Sequence, residues 1–129
     1  MHESLKVELP AKAQSAGWSR EAVAEFRDRL DRDAFIDLRL IVSELIADAV
    51  RSAKEPKNPI VLRVELRDGH IHVDVCDGAE TYEPGPMPPE LGERGWGVEF
   101  ARIFAQHWGS RPEGDRGCVW AQMPLAGAA

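Results

Sequence analysis

Two carboxylates, Glu44 and Asp48, stand four residues apart in the stretch Leu40–Ser52, LIVSELIADAVRS. A helix there stacks them one turn apart along a single edge. Leu38, Val42, Leu45, Ile46, Ala49 and Ala53 recur at helical spacing on the other side, and Ile41 and Arg51 border the acids. Like charges at i and i+4 repel by about 0.2–0.5 kcal/mol. A helix that already has a packing face therefore gains no stability from the pair. Oxygen ligands on a helix suit Mg²⁺, which keeps several waters and takes one or two carboxylates plus phosphates. The second carboxylate is placed to act as a general base. The plain alternative is a solvated edge on which Arg51 neutralises Asp48 from three residues away.

Two further groups carry chemistry. Asp77 ends a strand and precedes Gly78, which puts an acceptor beside a loop; a turn-forming Asp-Gly is the alternative. Gly95-Trp96-Gly97-Val98 lies between a loop and a helix. Glycines let a backbone approach phosphate, and a helix N-terminus offers free N–H groups and a partial positive charge. Ordinary loop glycines are the alternative there. Arg94 adds positive charge, which Glu93 partly offsets, and Trp96 falls at the loop–helix junction. His70 and His72 have metal-ligand spacing but no third ligand near them in sequence, and read as surface residues. Cys76 and Cys118 read as small buried residues on strands. Trp18, Trp108 and Trp120 read as core. The chain has neither a nucleophile elbow nor a phosphate loop of the Gly-Lys-Ser type.

Around these residues the pattern predicts seven elements and one long loop. Leu5–Leu9 alternates and stops at Pro10, a short strand. Ser19 caps a first helix, about Arg20–Leu30, on which Val23, Phe26 and Leu30 share a face. Asp33 caps the central helix, which runs to about Ala53. Lys54–Pro59 is a polar loop. Ile60–Leu66 and Ile71–Val75 alternate on either side of Asp68-Gly69, which makes a β-hairpin. Thr81–Arg94 is a long proline-rich loop of the kind that carries function. A third helix opens at Gly95 and runs to about His107. Gly109–Gly117 reads as a turn region, and Cys118–Met123 as the last strand. The order β α α β β loop α β gives a two-layer α/β sandwich.

The totals fit one domain, residues 1–129, with a real core. A net charge of −6 argues against a direct nucleic-acid surface. Two cysteines are too few for a disulfide framework and fit a reducing compartment. With no leader-like run and no stretch long enough to span a membrane, the sequence reads as cytoplasmic.

Taken together, the boxes resemble the GHKL (histidine-kinase-like) ATPase superfamily, and most of all its anti-sigma-factor serine/threonine kinase branch. The first box, Glu-x-x-x-Asn on a helix, is Glu44-Leu-Ile-Ala-Asp48 within VSELIADAVRSA. The second, Asp-x-Gly after a strand, is Asp77-Gly78-Ala79. The third, Gly-x-Gly-Leu opening a helix, is Gly95-Trp96-Gly97-Val98. The last strand, Gly117-Cys118-Val119-Trp120-Ala121-Gln122-Met123-Pro124, also matches.

The resemblance implies the Bergerat fold, with a mixed, mainly antiparallel sheet and residues 81–94 as lid. It implies ATP and Mg²⁺ as cofactors. Glu44 would be the catalytic base and Asp48 the metal ligand. Asp77 would accept from the adenine amino group, with Ala79 beside it. Arg94, Gly95, Trp96, Gly97, Val98 and Cys118 would complete the nucleotide contacts. The substrate would be a serine or threonine of an anti-anti-sigma (STAS-type) protein, the second partner a sigma factor, and the assembly a homodimer. Three positions depart from the pattern. Asp48 replaces Asn, Ala79 replaces Gly, and Cys118 stands where a Thr is frequent. They support the alternative, a non-catalytic module of the same fold that regulates by sequestering a partner.

Overall fold

The computed structural model describes residues 3–52, 58–77, 107–113 and 116–125. The chain forms β1 (Glu3–Leu9), α1 (Ser15–Ala22), a 3-10 helix (Val23–Arg29), α2 (Arg32–Ser52), β2 (Ile60–Arg67), β3 (His70–Asp77), β4 (His107–Glu113) and β5 (Arg116–Pro124). The five strands make one sheet in the order β1-β2-β3-β5-β4. Every pairing is antiparallel.

The β2–β3 hairpin follows directly from its sequence. Asp68 and Gly69 both adopt positive φ, 55° and 77°. That is the two-residue turn whose twist matches the flanking strands. In β2 and β3, Ile60, Leu62, Val64, Leu66, Ile71, Val73 and Val75 are buried on the side facing the helices.

On α2, Leu38, Ile41, Val42, Leu45, Ile46 and Ala49 are buried against that side. Ile41 belongs wholly to the core rather than to the acidic border. The helix starts earlier than its sequence suggests. Asp31, not Asp33, is the cap: its Oδ1 accepts the N–H of Ala34 at 2.7 Å.

The first helix also differs. The chain is helical from Ser15, and past Ala22 it tightens into 3-10 geometry rather than running as one helix to Leu30. Ser19 is inside α1, not at its start. Its hydroxyl donates to the Ala16 carbonyl at 2.6 Å, and the Ser15 hydroxyl donates to the Pro10 carbonyl, so the two buried serines of α1 are satisfied. Trp18, expected in the core, is 44% exposed on α1.

β4 occupies what reads as a turn. His107 opens this strand rather than closing a helix, and Gly109 and Pro112 hide the strand signal. Both residues are tolerated because β4 is a sheet edge. Gly109 pairs with Trp120, and a Cβ there would sit 2.9 Å from Trp120 Cζ2. The indole occupies the space a side chain would need. The expected third helix and the lid fall outside the described residues, apart from His107.

The cap assignment is open to direct test. Asp31→Ala is expected to cost about 1 kcal/mol, roughly 4 °C in Tm, while Asp33→Ala leaves Tm almost unchanged. Thermal melts of the two variants compare them.

Candidate functional site

α2 packs its apolar side on β2, β3 and β5, which leaves Glu44 and Asp48 along its border. Both acids are half-buried, and the Asp48 side chain is only 14% exposed. Arg51 reaches Asp48 Oδ1 through Nη2 at 2.8 Å. The neutralising contact foreseen as the plain alternative is therefore present, on an edge whose acids are half-buried. A pair of this kind at a helix surface is worth a few tenths of a kcal/mol. That is small against the charge of a bound divalent ion, so Arg51 does not close the position to a metal.

The other expected site residues fall at three places. Asp77 ends β3, paired with Gly117, and continues the register series of Ile71, Val73 and Val75. Ala79, Arg94, Gly95, Trp96, Gly97 and Val98 lie outside the described residues. Cys118 is not brought to the helix side at all. It pairs with Cys76 on the outer face of the sheet, and a disulfide joins the two sulfurs at a Cα–Cα distance of 4.0 Å. Both cysteines are fully buried, as expected, but they are bonded rather than free. The β3–β5 register, which crosses a sequence separation of 42, makes them neighbours.

The outer face has an ordered pattern of its own. One row across the sheet runs Glu8, Val61, Cys76, Cys118, Arg111; the next runs Lys6, Arg63, Asp74, Trp120, Gly109. Asp74 accepts from Arg111 and lies 3.5 Å from Arg63 Nη1. Arg63, Arg67, Arg111, His72 and Trp120 border a pocket of about 370 Å³ on this face, opposite to α2. Trp120 thus lies away from the main core, whereas Trp108 packs partly against it. Sequence alternation puts Arg63 and Asp74 opposite the core, but Arg111 sits in β4, whose sequence reads as a turn, and this hides the cluster.

Among the described residues, Asp74, Cys76 and Cys118 are the group close enough to share an ion. With the two sulfurs bonded to each other, no thiolate is available to do so. His70 and His72 take no part in that group. The rings are 6.4 Å apart, and His70 Nδ1 lies 2.9 Å from the Asp68 carbonyl.

The model of the histidine kinase-like ATPase domain matches residues 9–123. The chain belongs to this family. The resemblance carried by the Glu44, Asp77 and Gly95 boxes is borne out at that level. The crystal structure of the RsbU and RsbW domains of Rv1364c from Mycobacterium tuberculosis superposes with a TM-score of 0.72 at 18% identity. The match covers 95% of this chain and 32% of that one. The likeness extends the agreement to the fold, an α/β arrangement with helices on one side of an antiparallel sheet. No curated protein matches the sequence. No helix among the described residues is long and apolar enough to cross a membrane.

Burial lowers the His72 pKa from its ordinary 6.5, and Arg67 lowers it further. The unfolded chain then takes up a proton more readily than the folded one. Stability is therefore lost as pH falls below about 6.5. His72→Gln is expected to flatten that limb, so that its Tm changes less than the wild type's between about pH 8 and about pH 5.

Proposed function

We propose that the chain is an ATP-dependent serine/threonine protein kinase that also acts as an anti-sigma factor. The observation that carries this reading is the half-buried Glu44–Asp48 pair on α2 of a histidine kinase-like ATPase domain. ATP is the phosphoryl donor. The acceptor is a serine or threonine hydroxyl of an anti-anti-sigma (STAS-type) protein, and a sigma factor is the second partner. The likeness to the Rv1364c structure, which contains an RsbW domain, supports the anti-sigma branch by fold alone.

The residues divide the work. Asp77 accepts from the adenine amino group at the end of β3. Residues 81–94 are the lid. Gly95 and Gly97 let the backbone approach the phosphates, with Arg94, Trp96 and Val98 beside them. Carboxylate oxygens at Asp48 fit a hard divalent cation, and Mg²⁺ bound there would supply charge stabilisation to the phosphates. Glu44 takes the proton of the acceptor hydroxyl as its oxygen bonds to the γ-phosphorus. The bond to the β-phosphate oxygen breaks in the same displacement, and ADP leaves. A homodimer in the cytoplasm is the setting that goes with this reading.

A second reading keeps the partners and drops the catalysis. Cys118, bonded on the outer face of the sheet, favours a module that works by sequestering its partner.

Titration with ATP, with and without Mg²⁺, separates the two by calorimetry. For the kinase, Mg²⁺-dependent binding is expected, weakened at least about tenfold in Asp77→Asn with the fold intact. Glu44→Ala is expected to bind ATP normally and to lose phosphoryl transfer by about a hundredfold or more. No binding up to millimolar ATP makes sequestration the function. Near wild-type transfer in Glu44→Ala removes it as the base.

A further inference from the structure

The outer face of the sheet carries a chemistry that nucleotide binding does not use. Cys76 and Cys118 are bonded there, both 0% exposed, in a small cluster with Val61 that is separate from the main core. Their surroundings are charged. Arg63 Nη1 lies 3.8 Å from Cys76 Sγ, and Arg111 is the register partner of Cys118. Asp74 Oδ2 is 3.8 Å from Cys76 Sγ and holds both guanidinium groups. Two guanidinium groups thus gather at the carboxylate beside the bridge. A guanidinium group beside a sulfur stabilises its thiolate, and so favours the dithiol form of the pair.

Among the described residues, no helix covers the sulfurs. All described helices pack on the opposite side of the sheet, and the Arg63 and Arg111 side chains are 36% and 39% exposed. The bridge also occupies a particular place in the chain. It closes a sequence separation of 42. That interval contains Asp77, beside Cys76 itself, then Ala79 and the run from Arg94 to Val98.

We propose that the Cys76–Cys118 bridge is a reversible redox staple on the nucleotide site, which a dithiol reductant opens to weaken nucleotide binding. The proposal rests on the nucleotide-binding reading of the preceding section. One thiolate of the reductant attacks a bridge sulfur, the Cys76–Cys118 bond breaks, and a mixed disulfide forms. The second thiol of the reductant displaces the protein sulfur and leaves as a cyclic disulfide. Two electrons and two protons end on Cys76 and Cys118. The β3–β5 ladder and the core keep the fold, but the two ends of the interval lose their covalent tie.

The test equilibrates the native full chain in mixtures of reduced and oxidised dithiothreitol and alkylates the thiols. Mass spectrometry counts the labelled cysteines, and each form is melted and titrated with ATP. Both cysteines are expected to label together in one two-electron transition without denaturant. Reduction is expected to lower Tm by about 10 °C and to raise the Kd for ATP about fivefold through lost preorganisation. Cys76→Ser/Cys118→Ser is expected to behave as the reduced form and to ignore reductant. Cys76→Val/Cys118→Ala replaces it if buried hydroxyls prevent folding. Labelling that needs denaturant, or equal ATP affinity in the two redox forms, overturns the proposal. ATP binding by neither form overturns the nucleotide reading instead, and labelling and melting then decide the staple alone.

Discussion

The burial of one side of α2 against the helix-facing side of the sheet is the interaction on which the rest depends. Leu38, Ile41, Val42 and Ile46 are all 0% exposed, and Leu62, Val64 and Ile71 meet them from the strands at the same level of burial. Each such side chain contributes about 1.5–3 kcal/mol. Repulsion between Glu44 and Asp48 costs about 0.2–0.5 kcal/mol. The inequality explains how the helix holds two acids on one border without strain in its placement. It also separates two jobs within one element: the apolar side fixes the helix, and the acidic border remains available for chemistry.

The sheet divides its labour in the same way. Its helix-facing side is aliphatic and continuous. Its outer side carries arginines, an aspartate, histidines, Trp120 and the disulfide. Asp74 is the organising group there, because it draws Arg63 and Arg111 from different strands to one carboxylate. Arg63 approaches the Cys76 sulfur, and Arg111 sits beside Cys118 in the register, so the buried sulfur pair has a polar neighbourhood.

Much of this is legible in the sequence. The apolar periodicity of α2, the alternation of β2 and β3 and the Asp68-Gly69 turn are local signals, and each points to the element that forms. The boxes lead to the right family because they keep their order along the chain. What cannot be read is non-local or masked by single residues. β4 escapes because glycine and proline oppose strand assignment, and only the indole of Trp120, a cross-strand neighbour, accounts for Gly109. Asp33 reads as the cap of α2 in sequence, but the Ala34 N–H donates to Asp31, which makes Asp31 the cap. Residue type places Trp18 inside, though α1 points it outward. The cysteine pairing depends on a register between strands far apart in sequence, which periodicity cannot supply. Of the site itself, the structure describes Glu44 and Asp48 and the strand that ends at Asp77; the glycine box lies outside the described residues.

The strand order has a consequence for how the protein folds. β2–β3 and β4–β5 are local pairings, each closed over a short connection. The pairing of β3 with β5, and that of β1 with β2, join segments separated by much of the chain. Two hairpins can thus form early, while the sheet closes only when they meet side by side and β1 returns to the edge of β2. Loop-closure entropy opposes both steps before any core contact rewards them. The helix-facing aliphatic surface of each hairpin is uncovered until then. The speed with which α2 settles over that surface therefore governs how long the growing chain exposes strands that could pair with a neighbour.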